Sequence, residues 1–318
     1  MEKKYSIDTG IGLQDVDGLK NSSLFLEESQ KYIKGEISLS DLEEHISSYY
    51  ENKPEEEDDS IEADTVAIRI AKLLSDNAFD FSVEQFYRIH RILFSDLLEH
   101  AGEIRTYNIS KKEWVLDGDS VIYDDYRAVD DDLVYYFRLE KHFSYLGVPP
   151  DQIIKHLSEF ITSIWKVHAF EEGNTRTVAV FFIKYLTSLG FNVTNDTFKN
   201  NSWYFRNALV RASYNNLPKG IVKDDSYLNL FLQNLIFNEK NELHNRDLHV
   251  KSSIIVAKTN NERIIKLMEE NPKSKVEEIA KQIGVSQRTV KTLLAILQKE
   301  KIIKRIDGKR FGYWKINK

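Results

Sequence analysis

The most apolar stretch of this chain, residues 178–191, constrains its fold more than any other feature. Apolar side chains cover all sides of a helix there, and Lys184 is the one charged residue. Such a helix has to be buried in protein, because the stretch is shorter than the roughly 20 residues that a bilayer span requires. The segment before it, residues 151–167, is also apolar on more than one face. We therefore expect two buried helices at the centre of the protein and no membrane span.

Helical periodicity extends over most of the remaining chain. Only five prolines occur among 318 residues, and apolar residues recur at helical spacing. Ser40 and Ser82 stand where helix N-caps are expected. The predicted fold class is therefore mostly α. Besides the central pair, the segments predicted to be helical are residues 24–34, 40–52, 61–100, 126–146, 203–214 and 226–238.

Two segments interrupt this pattern. Gly10, Gly12 and Gly18 punctuate the N-terminus and indicate a loop. Further on, W-V-L and V-I-Y flank the pair Asp117-Gly118, which is a hairpin turn signal. The sequence therefore predicts one short β-hairpin, over residues 114–123, within a helical domain.

The loop between the two central helices, residues 168–176, reads H-A-F-E-E-G-N-T-R. Unpaired N–H groups at the start of the second helix favour an anion such as phosphate. Glu172 is a hard oxygen ligand suited to Mg²⁺, and Arg176 can reach phosphate oxygens with a planar fork of donors. His168 titrates near neutral pH and can take a proton from a hydroxyl. Each residue alone is more often structural, but their combination predicts a nucleotide-using transferase.

This loop resembles the Fic family motif, H-x-F-x-(D/E)-G-N-G-R-x-x-R. The matching residues are His168, Phe170, Glu172, Gly173, Asn174 and Arg176. The resemblance implies that His168 is the general base toward a Ser, Thr or Tyr hydroxyl of a target protein, and that Glu172 binds Mg²⁺. It also implies that the phosphates of ATP are bound by Gly173, Asn174, Thr175 and Arg176. G-E-I-R, residues 102–105, is similar to the family's entry into its target-docking flap.

Two positions depart from the family pattern. Thr175 replaces a glycine but still offers its backbone N–H, whereas Ala179 replaces the second arginine, which helps to hold the terminal phosphate. Arg206 or Arg211 is a candidate substitute. A related variant of the motif transfers phosphate rather than AMP, so the identity of the transferred group stays open.

A second resemblance lies near the N-terminus. Ser47, Glu51 and Asn52 match the pattern (S/T)-x-x-x-E-(G/N), which marks an inhibitory helix in one Fic subclass. The resemblance implies that Glu51 enters the nucleotide site and that Ser47 supports the helix. The alternative is a surface glutamate at the end of a helix.

The C-terminal segment has a different charge. Residues 272–318 contain 13 Lys or Arg and 4 Asp or Glu, which gives a net charge of +9. Because the whole chain has a net charge of −6, the remaining residues have a net charge of −15. The segment resembles a winged helix-turn-helix, with its turn at Gly284 and its wing turn at Asp307-Gly308. Such a module can bind DNA. The candidate DNA-binding residues are Arg288, Lys291, Arg305 and Arg310. The alternative is a winged helix that docks protein or forms a dimer.

Together these features predict four regions. They are an N-terminal region with the inhibitory helix (residues 1–60), a Fic core (61–240), a linker (241–261) and a winged helix-turn-helix (262–318). The chain has no cysteine and no signal-like N-terminus, so we expect a cytoplasmic protein. The predicted activity is Mg²⁺-dependent transfer of AMP from ATP to a protein, including the chain itself. The alternative is a DNA-binding regulator with a nucleotide-sensing or phosphotransferring Fic site. The sequence leaves the target protein unidentified and a homodimer open.

Overall fold

The fold is taken from a computed structural model, which describes residues 3–51, 60–219, 221–306 and 312–317. Side chains of residues 251–259 and 270 lie outside that description. The chain divides into two compact units. The first comprises Met1–Asn215 and Lys223–Asn245, and the second comprises Asn216–Val222 and Arg246–Lys318. The described residues are mostly helical, as the sequence predicts.

Ten helices form the first unit's described part. They are α1 (Lys3–Gly12), α2 (Ser23–Lys34), α3 (Leu39–Glu51), α4 (Ser60–Ser75), α5 (Val83–Phe94), α6 (Val129–Lys141), α7 (Pro150–Val167), α8 (Asn174–Ser188), α9 (Thr197–Ser213) and α10 (Ser226–Phe237). None of the helices in the described part of the chain has both the length and the apolar surface that crossing a membrane would require.

The apolar run forms α8, and it is buried as predicted. Every residue from Asn174 to Leu186 is buried, and the helix packs against α4, α5 and α7. Lys184 is accommodated because its ammonium donates to the carbonyl oxygens of Leu73 and Asp76, each at 2.7 Å. Burial lowers the pKa of Lys184. Because α8 is enclosed by its neighbours, its N-terminus and the loop before it have a fixed position.

The N-terminal glycines serve packing rather than the loop that the sequence indicates. Gly10 and Gly12 lie in α1, which packs against α4 and α9. A Cβ atom on Gly10 would lie 2.5 Å from the carbonyl oxygen of Ala67, and one on Gly12 would lie 2.6 Å from the backbone of Lys199. The predicted loop is therefore wrong for these two glycines. Gly18, in contrast, ends a 3-10 turn with a φ of 73°.

The predicted β-hairpin over residues 114–123 is also wrong. Within the described range 60–219, these residues form a 3-10 turn, Trp114–Leu116, and an extended loop instead of strands. The turn at Asp117-Gly118 is present, and Glu113 donates to the carbonyl of Asp119 across it at 2.9 Å. The pairing stops there because Val115 and Leu116 are adjacent and both buried, which breaks the alternation that a strand needs.

Of the two predicted N-caps, one is wrong and one is confirmed. Ser38, not Ser40, begins α3: its hydroxyl accepts from the Asp41 N–H at 3.1 Å, and its N–H donates to the Asp41 carboxylate at 2.7 Å. Ser82 caps α5 as predicted, accepting from the Gln85 N–H at 3.2 Å.

The second unit has the winged helix-turn-helix architecture. Its elements are α11 (Asn245–Leu248, which begins on the last residue of the first unit), α12 (Val250–Glu270), α13 (Val276–Ile283), α14 (Gln287–Lys299), β1 (Ile303–Ile306) and β2 (Tyr313–Ile316). Gly284 makes the turn with a φ of 74°, and Ser286 caps α14 by accepting from the Thr289 N–H. β1 and β2 pair antiparallel. The predicted wing turn at residues 307–308 lies outside the described residues, and residues 241–261, predicted as a linker, include α11 and the first half of α12.

We expect Gly10→Ala to lower the free energy of unfolding by about 1–3 kcal/mol, the usual cost of overpacking a filled site. In a helix without that contact, the same substitution would stabilise the protein by up to about 1 kcal/mol through helix propensity. Urea unfolding of the two proteins measures the difference. The matched control is Glu44→Ala on the exposed face of α3, which should change stability by less than about 0.5 kcal/mol. A more stable Gly10→Ala protein would contradict the close approach of α1 to α4.

Candidate functional site

The loop from α7 to α8 begins at His168, whose backbone is left-handed. Its φ and ψ are 51° and 59°, and its N–H donates to the Trp165 carbonyl at 3.1 Å, which ends α7. A residue with a Cβ adopts this conformation at an energetic cost, so the surrounding contacts have to maintain it. The contact that does so comes from Arg105.

Arg105 is buried and uses its whole guanidinium to bind backbone carbonyls around the loop. Its Nε donates to the His168 oxygen at 2.7 Å. Its Nη2 donates to the Asp124 oxygen at 2.5 Å and to the Val167 oxygen at 3.2 Å, and its Nη1 donates to the Tyr107 oxygen at 2.7 Å. Its backbone N–H also binds the Ala169 carbonyl at 2.9 Å. This one side chain therefore ties residues 167–169 to the segments on either side of the 114–123 loop.

The imidazole of His168 lies in an aromatic pocket, and it differs from an ordinary core histidine in its hydrogen bonding. Its ring lies against that of Tyr123, with centroids 4.0 Å apart and planes tilted by 32°, and it meets Trp165 edge-on. His168 is 3% exposed, and among the described residues neither ring nitrogen has a hydrogen-bond partner. Burial, together with the positive charges of Lys111 and Arg206, holds its pKa well below the usual 6.5. The ring is therefore neutral at physiological pH and has a lone pair to offer.

Glu113 and Arg206 support the wall of this pocket. Arg206, from α9, donates to both carboxylate oxygens of the buried Glu113, at 2.5 and 3.1 Å. Tyr123 donates to the same carboxylate at 3.3 Å, and its pKa is raised by burial and by that negative charge. Arg206 was a candidate for the missing phosphate arginine, but here it is engaged with Glu113. Arg211, the other candidate, is a buried residue of α9.

The N-terminus of α8 is shaped by Gly173 and Asn174. Gly173 has a φ of 68°, and a Cβ there would lie 2.3 Å from the Phe94 ring, so only glycine fits. The side chain of Asn174 closes the loop: its oxygen accepts from the Phe170 N–H at 2.9 Å and its amide donates to the Phe170 carbonyl at 2.7 Å. The first N–H groups of a helix have no partner within it, so this terminus is suited to an anion.

Thr175 and Ala179, the two departures from the family pattern, are both buried on α8. The Thr175 hydroxyl accepts from the Trp165 indole N–H at 2.9 Å. The extra side chain is therefore used inside the protein, next to the ring that lines the His168 pocket, and the backbone N–H of Thr175 stays in the first turn of α8.

Glu172, the predicted Mg²⁺ ligand, is exposed at the end of the loop. Within the described part of the chain, no group of three His, Cys, Asp or Glu side chains is gathered as a metal site. The backbone of Glu172 is fixed by His90. The Nε2 of His90 donates to the Glu172 carbonyl at 3.1 Å, and its Nδ1 accepts from the Gly102 N–H at 2.8 Å. Burial lowers the pKa of His90 to about 4, so this histidine is neutral, as both hydrogen bonds require.

Arg176 has partners that the sequence did not reveal. It is buried over the face of Phe94, 4.7 Å from the ring centroid. Its Nη2 donates to Glu62 of α4 at 2.6 Å, its Nε lies 2.9 Å from the Asp17 carboxylate, and its Nη1 donates to Gln14 at 3.2 Å. The arginine predicted to bind phosphate is therefore held by two carboxylates from elements that precede the Fic core's central helices.

Ser47 and Glu51, the predicted inhibitory residues, are exposed on α3, and Glu51 is its last residue. Helix α3 is anchored by Leu42 and Ile46 in a core that it shares with α2 and α4. Asn52, the last residue of the motif, lies outside the described residues. The carboxylates that contact Arg176 belong to Asp17 and Glu62, not to Glu51.

The predicted DNA-binding residues lie on two elements of the second unit. Arg288 and Lys291 are exposed on α14, on the side opposite its buried stripe of Val290, Leu293, Leu294 and Leu297. Arg305 of β1 lies over the Trp314 ring of β2 at 4.7 Å. Arg310 is outside the described residues.

Sequence reasoning missed Arg105, His90, Glu113 and Glu62. Each is a charged or titratable residue that acts on the loop from far along the chain, so no local spacing reveals it. The G-E-I-R motif marks the predicted flap, but nothing in its sequence indicates that Arg105 anchors His168.

Comparisons with known proteins match both units. Residues 80–186 match the Fic/DOC family model, and residues 259–304 match the model for winged helix-turn-helix DNA-binding domains. A search of curated proteins gave no match. One similar solved structure is the N-terminal FIC domain of Bep8, a VirB-translocated Bartonella effector protein from Bartonella sp. 1-1C. The two sequences are 14% identical, the match covers 55% of this chain and 83% of the Bep8 chain, and the TM-score is 0.41.

A second similar structure is a Fic family protein from Desulfovibrio desulfuricans G20. The two sequences are 10% identical, the match covers 99% of this chain and 86% of that protein's chain, and the TM-score is 0.46. The chain carries a Fic/DOC domain, from a family whose members generally transfer nucleotide or phosphate groups, followed by a winged helix-turn-helix domain of the DNA-binding type.

Proposed function

We propose that this protein is an adenylyltransferase that moves AMP from ATP onto a Ser, Thr or Tyr hydroxyl of a protein. The observation that carries the proposal is the state of His168. A buried histidine kept for packing normally has its ring nitrogens hydrogen-bonded. This one is neutral, unpartnered among the described residues and held in a costly backbone conformation by Arg105. Those are the properties of a base that awaits a substrate proton.

In the proposed reaction, a ring nitrogen of His168 takes the proton of the target hydroxyl. The hydroxyl oxygen attacks the α-phosphorus of ATP and forms a P–O bond, while the bond from that phosphorus to the β-phosphate bridging oxygen breaks. Pyrophosphate leaves with the electron pair of that bond. The N–H groups of Gly173, Asn174 and Thr175 at the start of α8 would bind the phosphates and stabilise the charge that develops on them.

A Mg²⁺ ion fits the residues present. Mg²⁺ is usually held by one or two carboxylates together with substrate phosphates and water, rather than by an all-protein cage. Glu172, exposed at the end of the loop next to the α8 N-terminus, offers such a carboxylate. When bound, the ion would neutralise phosphate charge. Glu172 would hold it while His90 fixes the backbone of Glu172.

The alternative function is a DNA-binding regulator in which the Fic site senses nucleotide or transfers phosphate. The winged helix-turn-helix favours it, because α14 exposes Arg288 and Lys291 opposite its buried stripe. Helices of this kind enter the major groove of DNA. Ala179 also favours it, because the family arginine that helps to hold the terminal phosphate is missing.

The two functions are separated by His168→Ala and by the position of the label in ATP. Incubation of the chain with α-labelled ATP and Mg²⁺ should label protein, and His168→Ala should reduce the rate by about 10²–10⁴-fold, the usual contribution of a general base. Label from γ-labelled ATP instead would identify phosphate transfer. The control variant is His100→Ala, which removes a half-exposed imidazole and should leave the rate unchanged.

DNA binding of His168→Ala completes that test. Retained DNA affinity with lost labelling is expected, since the substitution lies in the first unit and the binding residues lie in the second. If neither label enters protein while DNA binds, the enzyme proposal is wrong and the regulator reading replaces it.

The low pKa of His168 sets the pH dependence. A base works in its deprotonated form, so activity is present above its pKa and is lost as pH falls through it. Because burial and nearby cations lower that pKa well below 6.5, kcat/KM for labelling should stay flat from pH 8 down to at least pH 6.5, and the acid limb should lie below that range. The measurement is the labelling rate between pH 5 and 8, compared with unfolding at the same pH values. An acid limb centred above pH 6.5 would contradict the assignment.

Autoinhibition is part of the proposal, and Arg176 gives it a structural test. The family resemblance assigns inhibition to Glu51, supported by Ser47, whereas the carboxylates that contact Arg176 are those of Glu62 and Asp17. Glu51→Gly is expected to raise self-labelling with α-labelled ATP. Glu62→Gln, which keeps the size but removes the charge, is the parallel variant. A rise with Glu62→Gln alone would move the inhibitory role from Glu51 to Glu62, and no rise with either would refute autoinhibition by these helices.

A further inference from the structure

The ring nitrogens of His168 are out of reach of a target hydroxyl in this structure. Both nitrogens are buried, and a general base has to come within about 2.6–3.2 Å of the oxygen that it deprotonates. Under the proposed function, on which this consequence rests, His168 is that base. A group that covers its ring therefore has to move before each reaction.

Two aromatic side chains contact the imidazole, and one of them, Trp165, is fixed. It lies in α7, is 1% exposed, and its indole N–H donates to the Thr175 hydroxyl of α8 at 2.9 Å. Moving it would separate the two central helices and leave a buried N–H without its acceptor, which is costly. Trp165 is therefore a permanent wall of the His168 pocket.

Tyr123, the other aromatic neighbour, is held more weakly. Its ring centroid lies 4.0 Å from that of the imidazole, and its hydroxyl makes a long hydrogen bond, 3.3 Å, to Glu113. It is also close to the surface, because it is 8% exposed and follows Ile122, which is 81% exposed. A side chain in this position can rotate into water without disturbing the core.

The backbone on both sides of Tyr123 is anchored. Earlier in the loop, Val115 and Leu116 are buried, and moving them would expose apolar surface to water. Directly after Tyr123, the carbonyl of Asp124 accepts from the guanidinium of Arg105 at 2.5 Å. Movement that uncovers His168 is therefore confined to the side chain of Tyr123.

We propose that Tyr123 is a gate over His168 and that Glu113 is its latch. The base is covered while the Tyr123 ring lies against the imidazole, and a hydroxyl reaches it when the ring turns outward. Arg206 donates to both oxygens of the Glu113 carboxylate, so the latch keeps its place while the gate is open. Tyr123 acts on the base and not on the substrate, which makes it a positioning residue.

The open state should be a minor conformation that is populated at equilibrium. Opening breaks one ring contact and one long hydrogen bond, and it leaves the Glu113–Arg206 ion pair intact. Minor conformations that differ this little are populated at roughly 0.1–10%. A protein target that binds only the open form has its apparent affinity reduced by that fraction. The gate should therefore affect the KM for the protein acceptor and leave kcat unchanged.

Carbethoxylation measures the open fraction without depending on activity. Diethyl pyrocarbonate reacts with neutral imidazoles that solvent reaches, and mass spectrometry of peptides gives the rate at each histidine. His100, whose side chain is 52% exposed, is the internal reference. At pH 7, His168 of the natural chain should react at least about tenfold more slowly than His100, as an open fraction of about 10% or less requires.

Substitutions of Tyr123 locate the gate. Tyr123→Ala removes the ring and should raise the rate at His168 toward that at His100. Tyr123→Phe keeps the ring and loses the latch, so it should raise the rate by about two- to tenfold, the contribution of one hydrogen bond. The matched control is Phe143→Ala. Phe143 stacks on His156 with ring centroids 3.5 Å apart, so this variant should change the rate at His156 and not at His168.

Two results of the carbethoxylation experiment would overturn the gate. One is a natural chain in which His168 reacts as fast as His100. The other is a variant, Tyr123→Ala or Tyr123→Phe, in which the rate at His168 is the same as in the natural chain. A melting curve shows which variants are folded, and Tyr123→Phe, which keeps the ring in the pocket, decides the question if Tyr123→Ala does not fold.

Labelling separates the gate from the proposed function. The acceptor is a tagged His168→Ala chain, and α-labelled ATP is the donor. Tyr123→Phe should lower the KM for this acceptor by the factor by which it raises the carbethoxylation rate, with kcat unchanged. If carbethoxylation changes as expected but no protein labels the acceptor, the enzyme proposal is wrong and the gate stands. If labelling occurs with KM unchanged, or with a change in kcat alone, the gate is wrong.

Discussion

The guanidinium of Arg105 is the contact on which the geometry of the Fic loop depends. A chain that leaves a buried helix through a left-handed residue exposes carbonyl groups to an apolar interior, where each needs a donor. Arg105 supplies donors to several such carbonyls at once, including those of Val167 and His168. The hydrogen bonds of Arg105 go to neutral backbone and amide oxygens, so its charge also adds to the positive potential around the loop. Burial is the main cause that lowers the pKa of His168, and the charges of Lys111, Arg206 and Arg105 act in the same direction. Arg105 therefore fixes the position of the proposed base and contributes to its neutral state.

The burial of α8 explains why the candidate site lies where it does. A helix that is buried from Asn174 to Leu186 can bind a ligand only at an end. The N-terminal end is where Gly173 lets the Phe94 ring approach the backbone and where Asn174 closes the loop. The polar groups of the site are thus gathered at the one place where a buried helix has unsatisfied donors. Thr175 is compatible with this arrangement because its hydroxyl is used inward, by Trp165.

The sequence predicted those parts of the molecule that local spacing determines. Periodicity predicted most of the helices. The nine residues from His168 identified the loop, because the groups at the start of a helix come from residues that are consecutive in the sequence. It failed where a role depends on contact between distant segments. The sequence around Gly10 indicates a loop, whereas the structure shows that Gly10 lies in a helix packed closely against the backbone of Ala67. His90 and Glu62 are ordinary surface-type residues in sequence, yet they bind groups 82 and 114 positions away. The predicted hairpin failed for a related reason, because burial of both Val115 and Leu116 by the surrounding core outweighs the strand signal.

The contacts of Arg176 are unequal, and the inequality limits what can replace them. The guanidinium is 2% exposed, whereas the carboxylates of Asp17 and Glu62 are 32% and 29% exposed. Either carboxylate can turn to water at little cost, since partly exposed ion pairs contribute modestly. The arginine has no such route, because a buried charge without a partner costs several kcal/mol, about 3–5 when one member of a pair is removed. Arg176 can therefore give up both Glu62 and Asp17 only to another anion. Under the proposed function, phosphate oxygens of a nucleotide at the α8 N-terminus would meet that condition, and the same energetics would couple nucleotide binding to release of the two carboxylates.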